Sequence, residues 1–206
     1  HVCRFMPQYY KTKEILDEGS LGKPLYMSIT RESATPMWSV GNWLFDMDKS
    51  GGTILDLSIH DIDIAMWLFG KPESAKAMLI EKKDMPGLGI SVSTLGFLGG
   101  AAAEITANHL LPSSHSFDTS FHITLTGGYI EYCSASPEKL SVWKGDAETV
   151  LDLSGEEGFE DAYKHELDSF VEAELAGTPF RISAEEAMDA VKVGCRLIET
   201  VSKSIV

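Results

Sequence analysis

The stretch "ISVSTLGFLGGAAAEITANHLL", from Ile90 to Leu111, decides the fold. Two apolar and β-branched runs flank Gly99-Gly100, and a glycine pair between such runs is typical of a tight β-hairpin turn. The same arrangement recurs in "SFHITLTGGYIEYC" around Gly127-Gly128 and in "KLSVWKGDAETVLDL" around Gly145-Asp146. Three hairpins in succession predict a largely antiparallel sheet.

A strand, a helix and further strands are predicted before these hairpins. Val2–Phe5 is apolar and strand-like. In "PQYYKTKEILDEG" a helix is expected, because Pro7 suits its first turn and Gly19 ends it. Pro24–Ser33 alternates between apolar and polar residues, as a strand does, and "ESAKAMLIEKK" is expected to be another strand.

Two helices are predicted at the end of the chain. The first spans roughly Phe159–Ala176, and the second opens with a capping box at Ser183 and runs almost to Val206. So few helices can cover only one face of the sheet. We therefore predict an α+β domain, an open, mostly antiparallel sheet with helices packed on one face. A second copy of the chain is the expected cover for the other, semi-polar face.

Composition excludes several classes of function. The net charge of −14 disfavours nucleic acid and anionic membranes, which bind clustered Lys and Arg. Cys3, Cys133 and Cys195 are widely spaced and odd in number, so a disulfide framework is unexpected and a reducing cytoplasm is favoured. No apolar run approaches ~18 residues.

The first residue is His1 and not Met, so we expect the chain to be part of a longer protein. A G-x-G-x-x-G segment between a strand and a helix is also missing from these 206 residues. They therefore show no dinucleotide-binding fold of their own.

The segment "GGTILDLSIHDIDIAMWLFG", Gly51 to Gly70, carries many titratable groups for an apolar helix. Asp56 and His60 are four residues apart, which predicts one shared helix face. A carboxylate beside an imidazole fixes its tautomer and raises its affinity for a proton, as a general base near neutral pH requires. Asp63 could orient the ring from another side, and Gly51-Gly52 would let a backbone or a ligand approach the helix start.

Spacing alone leaves other interpretations open. Aspartates near a helix N-terminus are also favoured by the helix dipole. A single histidine with nearby acids is commonly a solvated cluster or a capped core residue. A metal site from Asp56, His60 and Asp63 is disfavoured, because three ligands along one helix seldom converge, and we expect no metal.

Three segments together resemble one family. "GGTILDLSIHDIDIAMWLFG" resembles the Gly-Gly-x-x-x-Asp-x-x-x-His-x-x-Asp segment of the glucose–fructose oxidoreductase / inositol dehydrogenase / rhizopine catabolism (Gfo/Idh/MocA) family. The opening "HVCRFMPQYYKTKEILDEGSLGKPLYMSITR" is similar to the segment that follows the family's nucleotide-binding domain. The ending "YKHELDSFVEAELAGTPFRISAEEAMDAVKVGCRLIETVSKS" is similar to its closing helices. The resemblance covers the whole chain.

The resemblance implies an architecture. Family members join an N-terminal Rossmann domain to a C-terminal domain like that of glyceraldehyde-3-phosphate dehydrogenase. Residues 1–206 would be the C-terminal substrate-binding and oligomerisation domain, without the Rossmann domain. NAD or NADP would be bound mainly by the missing domain, and these residues alone are expected to be inactive.

The resemblance also implies a reaction, hydride transfer between the nicotinamide and a sugar or cyclitol carbinol. A Lys from a Glu-Lys-Pro motif, an Asp and a His surround the substrate in the family, and the Lys is absent here. The last two fall on Asp56 and His60. His60 would exchange the hydroxyl proton, and Asp56 would position the substrate.

Four further residues are candidate substrate contacts. Arg31 ends a strand, and Trp43 lies in the irregular segment Ala34–Ser50, where loop packing is an equal alternative. Asp63 completes the motif. Tyr163 matches a Tyr that reaches the substrate in some family members, but it shares an apolar helix face, which favours core packing.

The remaining histidines are expected to be structural or at the surface; they are His109, His115, His122 and His165.

The competing class of function is a non-catalytic, dehydrogenase-like module for binding or oligomerisation. A G-x-G-x-x-G unit and a Glu-Lys-Pro motif upstream of His1 would favour the enzyme. The expected partners are a small polyol or sugar and a second copy of the chain.

Overall fold

The computed structural model of the chain describes residues 1–205 and contains a nine-stranded sheet. Its strands are β1 (Pro24–Ala34), β2 (Pro72–Glu81), β3 (Gly89–Phe97), β4 (Ala102–Leu111), β5 (Asp118–Leu125), β6 (Gly128–Cys133), β7 (Lys139–Lys144), β8 (Ala147–Asp152) and β9 (Ser202–Ile205). They lie in the order β8-β7-β6-β5-β1-β4-β3-β2-β9. Only the pairs β1–β4 and β2–β9 are parallel, so the predicted open, mostly antiparallel sheet is confirmed.

The three predicted hairpins are present. β3 and β4 pair across the Gly99-Gly100 turn, and β7 and β8 pair across Gly145-Asp146. Between β5 and β6 the turn lies at Thr126-Gly127, one residue earlier than predicted. β6 also pairs with β7, so β5 to β8 form a continuous meander.

Strand β1 joins the two groups of hairpins. Ile29 in β1 pairs with Ile105 of β4 on one side and with Phe121 of β5 on the other. All three side chains are almost fully buried. The β1–β4 pairing is parallel and spans a long stretch of chain, and local hairpin signals carry no information about such a pairing.

The helices are α1 (Pro7–Glu18), α2 (Met47–Ser50), α3 (Ile59–Phe69), α4 (Ala162–Ala176) and α5 (Ala184–Thr200). α3 contacts β1 and β4, α5 contacts α3 and β2, and α4 contacts the N-terminal turn, Val2–Phe5. Buried and half-exposed residues alternate along the strands, and the buried set forms one core with Ile62 and Ile64 of α3 and Leu197 of α5. The helices thus cover one sheet face, as predicted. Within residues 1–205, no helix is long and apolar enough to cross a membrane.

Both ends of the chain differ from the predictions. Val2–Phe5 is a buried 3-10 turn and not a strand, because a four-residue apolar run does not distinguish the two. α5 ends at Thr200, and Ser202–Ile205 adds to the free edge of β2 as β9. The predicted helix extension towards Val206 is therefore wrong as far as Ile205, and Val206 itself lies outside the described residues.

The segment leading to α3 is held against the turn between β2 and β3. The Thr53 N–H donates to the Gly87 carbonyl oxygen at 2.9 Å. The preceding residue, Gly52, has a φ of 64°, and a Cβ there would lie 2.4 Å from that same oxygen. The expectation that Gly51-Gly52 admits another backbone is confirmed, and Gly87 supplies that backbone.

Gly52→Ala should lower the free energy of unfolding more than Gly19→Ala does. Both glycines have left-handed φ values, but nothing lies within 4 Å of a Cβ at Gly19. Backbone strain alone should cost Gly19→Ala about 1 kcal/mol, whereas the added clash should cost Gly52→Ala roughly 3 kcal/mol. Urea unfolding of the two variants measures both values. Equal losses would contradict the close approach of Gly87.

Candidate active site

The candidate site begins in a turn of π-helix. Ile54–Ser58 is π-helical and runs directly into α3. A π-turn pairs residue i with i+5 and changes the direction of the side chains relative to a regular helix, and such turns are frequent at functional sites. Asp56 lies inside this turn and His60 follows it. Asp56 is near enough to act on the pKa of His60, but the two side chains make no hydrogen bond or ion pair within residues 1–205.

Asp56 contacts a different imidazole from the expected one. Its Oδ2 lies 3.2 Å from Nε2 of His109, whose other ring nitrogen lies 3.2 Å from Thr53 Oγ1. His109, expected to be structural or at the surface, is a buried residue with two polar contacts. The alternation of strand residues could have indicated its burial, because His109 points to the same side of β4 as buried Ile105 and Ala107. A polar side chain at such a position requires partners.

His60 is a half-buried imidazole with a lowered pKa. Burial is the main cause, and the Arg31 guanidinium adds to it, whereas Asp61 and Asp56 act in the opposite direction. The predicted rise in proton affinity is therefore wrong, because burial and Arg31 outweigh the carboxylates. A neutral ring keeps a lone pair that can accept a proton from a hydroxyl group.

Arg31 lies inside the protein. Its guanidinium donates to both carboxylate oxygens of fully buried Asp61, with N–O distances of 2.6 to 3.1 Å. It also donates to the Tyr9 hydroxyl at 3.1 Å. Although burial opposes its charge, the Asp61 carboxylate raises the pKa of Arg31 well above its ordinary value. Arg31 is only 4% exposed and forms an internal ion pair in place of the expected substrate contact.

Asp63 is also paired away from His60. Its carboxylate accepts hydrogen bonds from Arg4 Nε at 2.9 Å and Nη2 at 2.7 Å. The same guanidinium donates to Glu186 of α5 at 3.0 Å, and His1 Nδ1 lies 3.4 Å from Asp63. Burial raises the pKa of Asp63, and Arg4 opposes this shift. The expected role of Asp63 beside His60 or the substrate is therefore replaced by a tie between the N-terminal turn, α3 and α5.

Trp43 and Tyr163 lie at the surface. Trp43 is 44% exposed in the 3-10 turn Val40–Phe45, next to buried Leu44. Tyr163 is 64% exposed on α4, so the expected core packing is wrong. Contact of either side chain with a substrate stays a prediction.

A groove of about 640 Å³ lies apart from Asp56 and His60. Its lining includes Phe5, Tyr10, Lys11, His165, Arg181 and the carboxylates of Glu14, Glu156, Glu157, Asp168 and Glu172. We place the candidate site at Asp56 and His60 instead. There a half-buried imidazole with a lowered pKa lies four residues after a partly exposed carboxylate, and groups with shifted pKa values are found at functional sites.

Comparison with known proteins establishes the family. Residues 9–131 match the model described as the GFO/IDH/MocA C-terminal domain. This range covers more than half of the chain and includes both Asp56 and His60. The chain therefore belongs to the Gfo/Idh/MocA family of oxidoreductases, and the resemblance noted in its sequence is confirmed.

Several relatives carry names of dehydrogenases. The chain is 27% identical over 200 residues to a scyllo-inositol 2-dehydrogenase (NAD(+)) of Bacillus subtilis. The aligned residues cover 93% of this chain and 56% of that relative. It is 26% identical over 200 residues to a myo-inositol 2-dehydrogenase of Thermotoga maritima, and the alignment covers 93% of this chain and 58% of that relative. The fold is similar to that of a 3-ketoreductase from Actinomadura kijaniata in complex with NADP, with a TM-score of 0.78 and 18% sequence identity. The superposition covers 98% of this chain and 62% of that chain. The chain thus spans less than two thirds of each protein.

The lowered pKa of His60 predicts lower stability at mildly acidic pH. An unfolded histidine titrates near 6.5, and folded His60 titrates below that value. Between these two pH values the unfolded chain binds more protons, so the free energy of unfolding falls as the pH drops through this window. Above about pH 6.5 both states are neutral and the contribution is constant.

Urea unfolding between about pH 5 and pH 7.5 measures this dependence. His60→Gln should flatten the slope of stability against pH, whereas His115→Gln, on an exposed loop, controls for the loss of one histidine. The same slope in wild type and His60→Gln would contradict the shifted pKa.

Proposed function

We propose that the chain is the substrate domain of an NAD(P)-dependent oxidoreductase that transfers hydride between a nicotinamide and a sugar or cyclitol carbinol. The observation that carries this proposal is His60, a half-buried imidazole with a lowered pKa at the histidine of the family motif. The names of the inositol dehydrogenase relatives support the polyol class of substrate.

His60 acts as the proton acceptor when the carbinol is oxidised. As the carbon–oxygen double bond forms, the hydroxyl proton passes to the ring, and in reduction the ring returns it. Burial, with the Arg31 charge added to it, lowers the pKa of the ring and favours its neutral form before the proton arrives. Asp56 keeps 27% of its side chain exposed and accepts a hydrogen bond from a second hydroxyl, which orients the substrate.

A nicotinamide dinucleotide accepts or supplies the hydride when it is bound. Residues 1–206 contain no G-x-G-x-x-G turn opening a helix, and the relatives are considerably longer than this chain. We therefore assign most of the dinucleotide binding to a domain outside these residues. A cytoplasmic location accompanies the proposal, because all three cysteines are unpaired.

His60→Ala in the enzyme that contains this domain should lower kcat on the order of 10²–10⁴-fold, the usual effect of removing a general base. The affinity for the dinucleotide should stay near that of the wild type, because His60 serves the proton and not the cofactor phosphates. Steady-state turnover with scyllo- and myo-inositol, together with calorimetry for the dinucleotide, measures both effects. His115→Ala is the control. Unchanged turnover in His60→Ala would remove His60 from the mechanism, whereas a wild type that turns over neither polyol would support the non-catalytic module.

We also propose that the outer sheet face pairs with a second copy of the chain. Four aromatic rings form a row across it, Tyr26, His122, Tyr129 and Trp143, with successive centroids 6.2, 5.8 and 5.4 Å apart. Burying this row around a two-fold axis would remove a wide, partly apolar surface from water.

Light scattering of the chain should give at least a dimer mass, because a stable pairing would bury more than roughly 1,200 Å² in total. Tyr129→Arg should shift the mass towards the monomer. Leu98→Arg, at the exposed tip of the β3–β4 hairpin, should leave the mass unchanged. A wild-type monomer at tens of micromolar would refute the pairing.

A further inference from the structure

His109 connects Asp56 to the sheet. The ring is 2% exposed and lies between the Asp56 carboxylate and the Thr53 hydroxyl, at 3.2 Å from each. Thr53 Oγ1 also accepts a hydrogen bond from the Gly89 N–H at 2.9 Å. A continuous polar path therefore runs from the backbone of β3 through Thr53 and His109 to Asp56.

The chemistry of the two ends selects one neutral tautomer of His109. If Nδ1 carried the proton, the lone pair of Nε2 would face a carboxylate oxygen at 3.2 Å, and two acceptors would repel each other. If Nε2 carries the proton, Nε2–H points at Asp56 and Nδ1 can accept from the Thr53 hydroxyl. The Gly89 N–H then completes a chain in which every donor has an acceptor.

The second carboxylate oxygen of Asp56 is left for a ligand. Oδ2 faces His109, whereas Oδ1 has no hydrogen-bond partner in the part of the chain that the structure describes, and the side chain is 27% exposed. A carboxylate held at one oxygen and open at the other is suited to accept a hydrogen bond from a hydroxyl group.

We propose that His109 is a positioning residue that fixes the Asp56 carboxylate through Nε2–H, so that Oδ1 is presented to a hydroxyl of the substrate. This inference rests on the proposed function. It specifies a substrate with a second hydroxyl besides the one that reacts, as vicinal polyols have. A purely structural histidine would fill the same space but would not require a particular tautomer.

The tautomer can be measured on the 206-residue chain without any turnover. Two-bond ¹H–¹⁵N correlation spectra at neutral pH should show His109 in the Nε2–H form. Asp56→Asn should move its ring-nitrogen shifts, whereas Asp146→Asn in the exposed β7–β8 turn should not. An Nδ1–H form, or nitrogen shifts that ignore Asp56→Asn, would overturn the proposal.

Two amide substitutions separate the two contacts of the ring. In His109→Gln the amide nitrogen reaches the position of Nε2 and can still donate to Asp56. In His109→Asn the shorter amide reaches only the position of Nδ1, on the Thr53 side. His109→Asn should therefore lower kcat/KM in the enzyme on the order of 10–100-fold, mainly through KM, because a displaced positioning group can cost about 10²-fold. His109→Gln should retain most of the activity.

The outcomes distinguish this inference from the proposed function. Equal activities of correctly folded His109→Gln and His109→Asn, whether both are retained or both lost, would overturn the positioning role. Absence of polyol turnover in the wild-type enzyme would instead overturn the proposed function, and the tautomer measured on the chain would then still report on the contact between His109 and Asp56.

Discussion

The buried ion pair between Arg31 and Asp61 links the central strand of the sheet to the helix that carries the candidate site. Arg31 lies in β1, which holds the two groups of hairpins together, and Asp61 lies in α3 immediately after His60. Both side chains are almost completely buried. Removal of either partner would leave an uncompensated charge in the interior, at a cost of about 3–5 kcal/mol. The position of His60 over the sheet therefore depends on this contact, and the Arg31 charge adds to the burial that lowers the pKa of His60.

The unusual acid content of the site helix has a common explanation. Each of its acids has a separate basic partner: Asp56 meets His109, Asp61 meets Arg31 and Asp63 meets Arg4. These partners come from β4, β1 and the N-terminal turn. Successive acids point in different directions along the helix, so one segment is anchored to three parts of the fold. His60 remains without a carboxylate of its own, and this leaves burial and Arg31 to dominate its titration.

Local signals predicted much of the architecture because hairpins and helix ends depend on neighbouring residues. The turn at Gly99-Gly100, the end of α1 at Gly19 and the capping box at Ser183 all lie where the residue types require them. Non-local contacts were outside the reach of such signals. The parallel pairing of β1 with β4 and the addition of β9 to β2 join segments that are distant in sequence.

The sequence by itself determined the α+β class, the three hairpins and the motif that contains Asp56 and His60. Only the tertiary structure decided what these residues touch. The spacing of Asp56 and His60 predicted a pair, but folding brought His109 to Asp56 across more than fifty residues of chain. Arg31 and Asp63 became internal ion pairs, because charged groups that are enclosed by a core must find opposite charges there. Which opposite charges are within reach depends on the arrangement of the whole sheet and its helices.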